Sequence, residues 1–159
     1  MLRAWRIVKR RHAGGAFDGE GARLYGGRWN SPGVPVVYVA ESRALAALEI
    51  LAGLQSRATL DAYVLIEVHF AEALVEDLRP DSIPDGWRTS PPRPETQAIG
   101  DRWVREARSP VLRIPSVLIP AESNFVLNPA HPGFGTIEIQ DPTSFEFDPR
   151  LTGSPRFTS

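Results

Sequence analysis

Apolar positions along the chain gather in short runs, separated by segments rich in Gly and Pro. Residues 2–8 (LRAWRIV) alternate well enough to predict a first strand or extended arm. Residues 13–22 (AGGAFDGEGA) are small and Gly-rich and predict a loop. Residues 24–30 (LYGGRWN) predict a short strand running into a turn at Ser31-Pro32-Gly33. Residues 34–40 predict a clear strand, whose period of two puts Val34, Val36, Tyr38 and Ala40 on one face. From Glu41 the pattern turns helical. Ser42 suits the N-cap, and Ala44 to Ala52 carry almost no polar side chain, which predicts a helix buried all round.

Further along, residues 62–70 (AYVLIEVHF) predict a second strong strand. Residues 79–100 hold Pro80, Pro84, Pro91, Pro92 and Pro94 and predict a long irregular loop. Residues 101–108 predict a short amphipathic helix, with Asp101 near its start and Arg105 and Arg108 late, as the helix dipole favours. Residues 111–120 (VLRIPSVLIP) predict a strand broken at Pro115. Residues 121–133 predict a loop in which Asn124, Asn128 and His131 build turns. Residues 134–140 and 144–147 predict closing strands. The sum is an α+β fold: a single compact domain over residues 1–159, with a small mixed β-sheet core and few helices, and residues 152–159 as a flexible tail.

Composition narrows the function. A net charge of -1 gives no basic field for direct nucleic-acid binding. The chain has no Cys, which removes disulfides, thiolate metal sites and a Cys nucleophile. No apolar run has membrane-spanning length and the N-terminus lacks a signal-peptide core, so a cytoplasmic protein is expected. No metal cluster, P-loop, dinucleotide fingerprint or catalytic triad stands out, and no metal is expected.

The chemistry concentrates in residues 24–53. Glu49 is the one acid on the predicted apolar helix, and a buried carboxylate needs compensation. Arg28 or Tyr38 is positioned to supply it. A structural Glu–Arg pair or a Glu solvated at the helix edge is the plainer reading. Tyr38 sits near the end of its strand, where side chains are delivered to sites; a half-buried core Tyr is the commoner case. Arg43 falls in the first helical turn, where a cation needs a partner or an anion. Ser116 follows the Pro115 break, and with no His–Asp pair nearby its hydroxyl suits positioning a ligand. Physics alone reaches an Arg–Tyr–Glu site for a small anionic ligand.

Four blocks of this sequence resemble the RES domain family: residues 17–42 (FDGEGARLYGGRWNSPGVPVVYVAES), the ALAALE helix, residues 99–134 and the FDPRL segment. The resemblance covers most of the chain. The Arg, Glu and Ser of the family name fall on Arg28, Glu49 and Ser116. Tyr38 matches the active-site Tyr of the family, and Asn124 lies in its ESN segment.

That resemblance implies a compact relative of the ADP-ribosyltransferase fold that acts on NAD as substrate. It implies the toxin half of a type II toxin–antitoxin pair, whose partner is an Xre-type helix-turn-helix antitoxin that alone contacts DNA. The implied reaction cleaves the nicotinamide–ribose bond by hydrolysis or phosphorolysis, with inorganic phosphate as co-substrate in the second case. Transfer of ADP-ribose to a protein is the alternative reaction, and a non-catalytic binding module is the alternative class. A homodimer within a larger toxin–antitoxin complex is one assembly it leaves open. In this scheme Arg28 holds phosphate, Tyr38 covers the nicotinamide or its ribose, and Glu49 stabilises an oxocarbenium. Ser116 orients the ribose or a phosphate, and Arg43 and Asn124 complete the substrate contacts.

Overall fold

The computed structural model describes residues 1–54 and 62–153. The elements in order are β1 (Leu2–Lys9), α1 (Glu20–Tyr25), β2 (Val37–Ala40), α2 (Arg43–Gly53), β3 (Tyr63–Phe70), β4 (Val75–Asp77), α3 (Pro94–Arg105), β5 (Val111–Pro115), β6 (Ser123–Leu127), β7 (Glu138–Ile139), β8 (Thr143–Phe145) and α4 (Pro149–Thr152). The strands form one mixed sheet in the order β4-β5-β6-β2-β1-β3-β7, with β8 also paired to β3. Every pairing is antiparallel except β4–β5, where α3 supplies the crossover that parallel neighbours require. The architecture is the α+β sheet with few helices that the sequence predicts.

Alternation along the strands divides the core between two faces. One face carries Ala4, Val37, Val39, Val68, Phe125 and Leu127 and is covered by loop side chains such as Phe17 and Phe134. On the other face α3 covers Val36, Leu112, Ile114 and Val126, with Trp29 and Trp103. Beside that layer α2 covers Ile7, Ala40 and Tyr63 through Leu45 and Ala46. The ladder weakens in the middle: β1 meets β2 at the single register pair Trp5↔Ala40. The Arg6 guanidinium fills the gap, donating from Nη1 to the carbonyl of Tyr38 at 2.9 Å. Burial lowers the pKa of Arg6 to about 10, opposed by the charge of Asp18, so it remains a cation at neutral pH.

Several sequence expectations are corrected. Residues 13–22 are not all loop, because α1 begins at Glu20. Residues 24–30 form no strand: α1 runs to Tyr25, and beyond it only an isolated bridge joins Gly27 to Asn30. Gly26, at φ 73°, turns the chain there, and the following segment docks on α3 instead of joining the sheet. α2 spans Arg43–Gly53 with the Ser42 cap as expected, its Oγ accepting from the Leu45 N–H at 3.0 Å. It is not buried all round, however; only Leu45 and Ala46 are, and Leu48 is 41% exposed. α3 begins at Pro94, inside the predicted loop, since Pro is well placed in a first helical turn. Asp101 therefore lies deep in the helix, and its carboxylate is used elsewhere. The largest miss is β6, drawn from the predicted turn segment 121–133 and placed between β2 and β5. The stretch after Gly53 that the sequence reads as a linker lies mostly outside the described residues, as does most of the predicted tail.

Gly100 marks a close approach of α3 to the Trp29 backbone. A Cβ there would lie 1.7 Å from the carbonyl oxygen of Trp29, a backbone atom that cannot swing away. Gly100→Ala is expected to destabilise the protein by about 3 kcal/mol, at the upper end of overpacking costs. For a chain of this size that lowers the melting temperature by roughly 6–12 °C. A melt equal to wild type would show that α3 does not need this approach.

Candidate active site

A cleft of about 270 Å³ opens on the helical face beside α2. Its floor is β1 and β2 at their weak junction, with Trp5, Ile7, Tyr38 and Ala40. Arg28 and Gly27 form one wall; Glu49 and Ile50 of α2 form another; Pro115, Val117 and Asn124 close the third side. Apolar surface with few polar groups is the usual composition of a small-molecule site.

Glu49 owes its position to α2 and its orientation to the sheet. Its Oε1 accepts from Ser116 Oγ at 3.0 Å and from Asn124 Nδ2 at 2.8 Å. Both bonds fall on one oxygen, so Oε2 has no partner among the described residues. Ser116 is fully buried. Its Oγ also accepts from the N–H groups of Leu118 and Ile119, each at 3.1 Å, so its one proton is directed at Glu49. Ser116 thus orients Glu49 and does not itself line the cleft, contrary to the direct ligand contact expected of it. The Pro115 break explains the arrangement: β5 ends there, and the chain turns back on the Ser116 hydroxyl. Asn124, read from sequence as a turn residue, is a strand residue that does line the cleft.

Arg28 is anchored on the opposite wall. Nη1 donates to the carbonyls of Trp87 at 2.8 Å and Thr89 at 2.7 Å, and Nη2 donates to Ser90 Oγ at 3.0 Å. A guanidinium has five N–H donors. Three are used here, and Nε–H with one Nη2–H remains without a described partner. Burial lowers the Arg28 pKa, opposed by the charge of Glu49. The segment that holds it comes from the Pro-rich stretch, pinned by Trp87 against Trp29 with ring centroids 5.9 Å apart. Arg88 Nε donates to the Val117 carbonyl at 3.0 Å, so the segment reaches from the Arg28 wall to the Val117 wall. Among the described residues no ion pair joins Arg28 to Glu49; each charge is held by neutral groups of its own wall.

Tyr38 offers its ring to the cleft, while its hydroxyl is committed. It donates to Asn30 Oδ1 at 2.6 Å and accepts from the Trp29 N–H at 3.0 Å. Burial pushes its pKa well up, with the Trp29 bond pulling the other way, so the phenol stays protonated. Asn30, which sequence reasoning missed, is the hub of this wall. It is fully buried, and Nδ2 donates to the carbonyls of Ala22 and Val34 at 2.9 and 3.0 Å. Asp101 accepts from Ser31 N and Ser31 Oγ at 2.8 and 2.6 Å, tying the turn to α3. Gly27 is required beside Tyr38, because a Cβ there would lie 2.7 Å from the phenolic oxygen. The only sequence signal for Asn30 was its place in the GGRWN run.

Arg43 stands outside the cleft. Its guanidinium lies over the Trp5 ring, 4.8 Å from the centroid, with Nη2 3.9 Å from Glu67. It helps line a separate polar hollow with Arg3, Glu67 and His69. The expected substrate contact through Arg43 is therefore replaced by support of Trp5 from behind.

The RES domain family model matches residues 3–148. A protein named Toxin Res from Yersinia enterocolitica serotype O:8 / biotype 1B is 40% identical over 148 residues, covering 92% of this chain and 97% of its own length. The Prs ADP-ribosylating toxin of Sphingobium sp. strain YBL2 is 36% identical over 152 residues, covering 92% of this chain and 94% of its own. Among solved structures, the M. tuberculosis MbcT–MbcA toxin–antitoxin complex contains a chain that superposes with a TM-score of 0.75 at 21% identity, over 99% of this chain and 90% of that one. That likeness concerns the fold. The match over nearly the whole length, with Arg28, Tyr38, Glu49, Ser116 and Asn124 gathered on or behind one cleft, makes this chain a member of the RES domain family.

Proposed function

We propose that this protein is the toxin of a toxin–antitoxin pair and that it cleaves the nicotinamide–ribose bond of NAD. The observation that carries the reading is the oriented Glu49 carboxylate, fixed through one oxygen and facing a cleft whose other wall holds an anchored guanidinium. NAD presents a matching pair of features, a cationic nicotinamide riboside and an anionic diphosphate. A cleft of about 270 Å³ suits the nicotinamide riboside part, with the remainder extending past Arg28.

In this reading the bond between ribose C1′ and the nicotinamide nitrogen breaks, and its electron pair leaves with the nicotinamide. The leaving group becomes neutral and needs no general acid. Positive charge develops at C1′, and the Glu49 carboxylate stabilises it without reorganising, because Ser116 and Asn124 already hold it. Oε2 is available to accept from a ribose hydroxyl. Arg28 directs Nε–H and Nη2–H at the diphosphate in a charge-assisted fork. Water or inorganic phosphate then attacks C1′ and gives up a proton. The antitoxin in this reading is of the Xre helix-turn-helix kind and covers the cleft, and the pair works in the cytoplasm.

A second reading, transfer of ADP-ribose to a protein, is favoured by the likeness to the Prs ADP-ribosylating toxin of Sphingobium. Both share bond cleavage and differ in the acceptor. Incubation of the purified chain with NAD labelled in its adenosine half, alone and with a bacterial cell extract as the source of acceptor proteins, tests them together. Free ADP-ribose or its 1-phosphate supports degradation, label on protein supports transfer, and unchanged NAD overturns both.

Two variants test the roles. Glu49→Gln keeps an oxygen for Ser116, so its melting temperature is expected to stay close to wild type. The loss of charge at C1′ is expected to cut kcat on the order of 100-fold or more. A cooler melt with wild-type turnover in the folded fraction would make Glu49 structural. Arg28→Lys keeps the cation and loses the fork. Charged hydrogen bonds of this kind contribute about 1.5–3 kcal/mol, so KM for NAD is expected to rise roughly tenfold or more. An unchanged KM would remove Arg28 from substrate binding.

A further inference from the structure

The register brings Trp5, Ala40 and Asn124 into one row across β1, β2 and β6, since Trp5 pairs Ala40 and Ala40 pairs Asn124. Cross-strand partners share a face, and all three line the cleft. Two strand spacings put Trp5 and Asn124 about 10 Å apart, with only the Ala40 methyl between them. Each flanking residue also carries a buried polar atom without a hydrogen-bond partner: the N–H of Trp5 Nε1 and the carbonyl Oδ1 of Asn124. Such atoms are rare in native folds and carry a desolvation cost. Each side chain is anchored on one side. Asn124 Nδ2 is bound to Glu49, which fixes Oδ1 on its other side. Trp5 is held from behind by the Arg43 guanidinium.

We infer that this row is the subsite for the primary amide of the substrate, and that Trp5 and Asn124 determine specificity there. The inference rests on the NAD reading above. Both atoms are covered in this conformation. A primary amide has an acceptor for the Trp5 N–H and a donor for Asn124 Oδ1, so one planar group satisfies both orphans once small side-chain shifts uncover them and keep the Asn124–Glu49 bond. The purine edge of the dinucleotide also offers a donor beside an acceptor. Asn124 touches Glu49, and Glu49 in this reading faces the ribose carbon that bears the nicotinamide, so the amide at this row is the carboxamide of nicotinamide. The small Ala40 leaves the ring room to stand on the floor. A carboxylate in the amide position would face Asn124 Oδ1 with no hydrogen to donate.

The test uses NAD and its 3-acetylpyridine analogue, which keeps the carbonyl acceptor and lacks the amide donor. The ratio of kcat/KM between them is measured in wild type, Trp5→Phe and Asn124→Ala. Asn124→Ala slows both reactions by loosening Glu49, which the ratio cancels. The ratio is expected to fall by roughly tenfold in Asn124→Ala, the effect of one buried acceptor left unpaired. Trp5→Phe is expected to slow both substrates and to leave the ratio near wild type. Binding of free nicotinamide and free 3-acetylpyridine, followed by ligand-observed NMR, gives the same comparison where turnover is too slow. NAD turnover with a wild-type ratio in Asn124→Ala overturns the subsite and leaves the NAD reading intact. No turnover of either dinucleotide, with a nicotinamide preference that disappears in Asn124→Ala, overturns the NAD reading and keeps the subsite.

Discussion

Two hydrogen bonds on one carboxylate oxygen, from Ser116 and Asn124 to Glu49, hold the site in the form described. They come from different places in the chain. Ser116 depends on the end of β5 at Pro115 and on the backbone N–H groups of Leu118 and Ile119. Asn124 depends on β6 lying between β2 and β5. The helix supplies the acid, and the sheet decides where it points. A carboxylate satisfied in this way by neutral donors keeps its charge available to a ligand, whereas a direct pair with Arg28 would have cancelled it.

The cationic half of the cleft is built on the other layer. The Gly27–Ser31 turn is locked by Asn30, roofed by the Trp87–Trp29 contact and tied to α3 through Asp101 and the Gly100 approach. The segment at Trp87 to Ser90 takes three of the five guanidinium donors of Arg28 and leaves the rest for a ligand. Between the two halves the sheet itself opens, with one register pair between β1 and β2 and the Arg6 side chain in place of further rungs. A cleft at the weak point of the sheet costs little in backbone pairing, because Arg6 keeps the Tyr38 carbonyl bonded.

Much of the site was legible in the sequence because its chemistry is local. One acid on an apolar helix, an Arg after two glycines and a Tyr on a strand are visible as type and spacing. The Pro115 break marked Ser116, and the family blocks then added Asn124. Relations between distant segments were not legible. Nothing in the sequence says that Ser116 bonds Glu49 from behind, or that Arg43 supports Trp5. Asn30 reads as the end of the predicted strand 24–30, and nothing in that run marks its buried bonds to Ala22, Val34 and Tyr38. β6 was missed because Asn124 and Asn128 suggest turns, while burial of Phe125, Val126 and Leu127 between two strands overrides that preference. The exposed side of α2 escaped notice for a related reason, since an apolar composition cannot reveal which side the fold leaves uncovered.

The central claim is that Arg28 and Glu49 are two separately anchored halves of a ligand site and not a buried ion pair. A double-mutant cycle on folding stability, using Arg28→Ala, Glu49→Gln and the double variant, tests it most directly. Separate anchoring predicts that the two changes in unfolding free energy add to within about 0.5 kcal/mol. A coupling of about 3 kcal/mol or more, as expected when breaking a buried pair leaves one charge uncompensated, would contradict it.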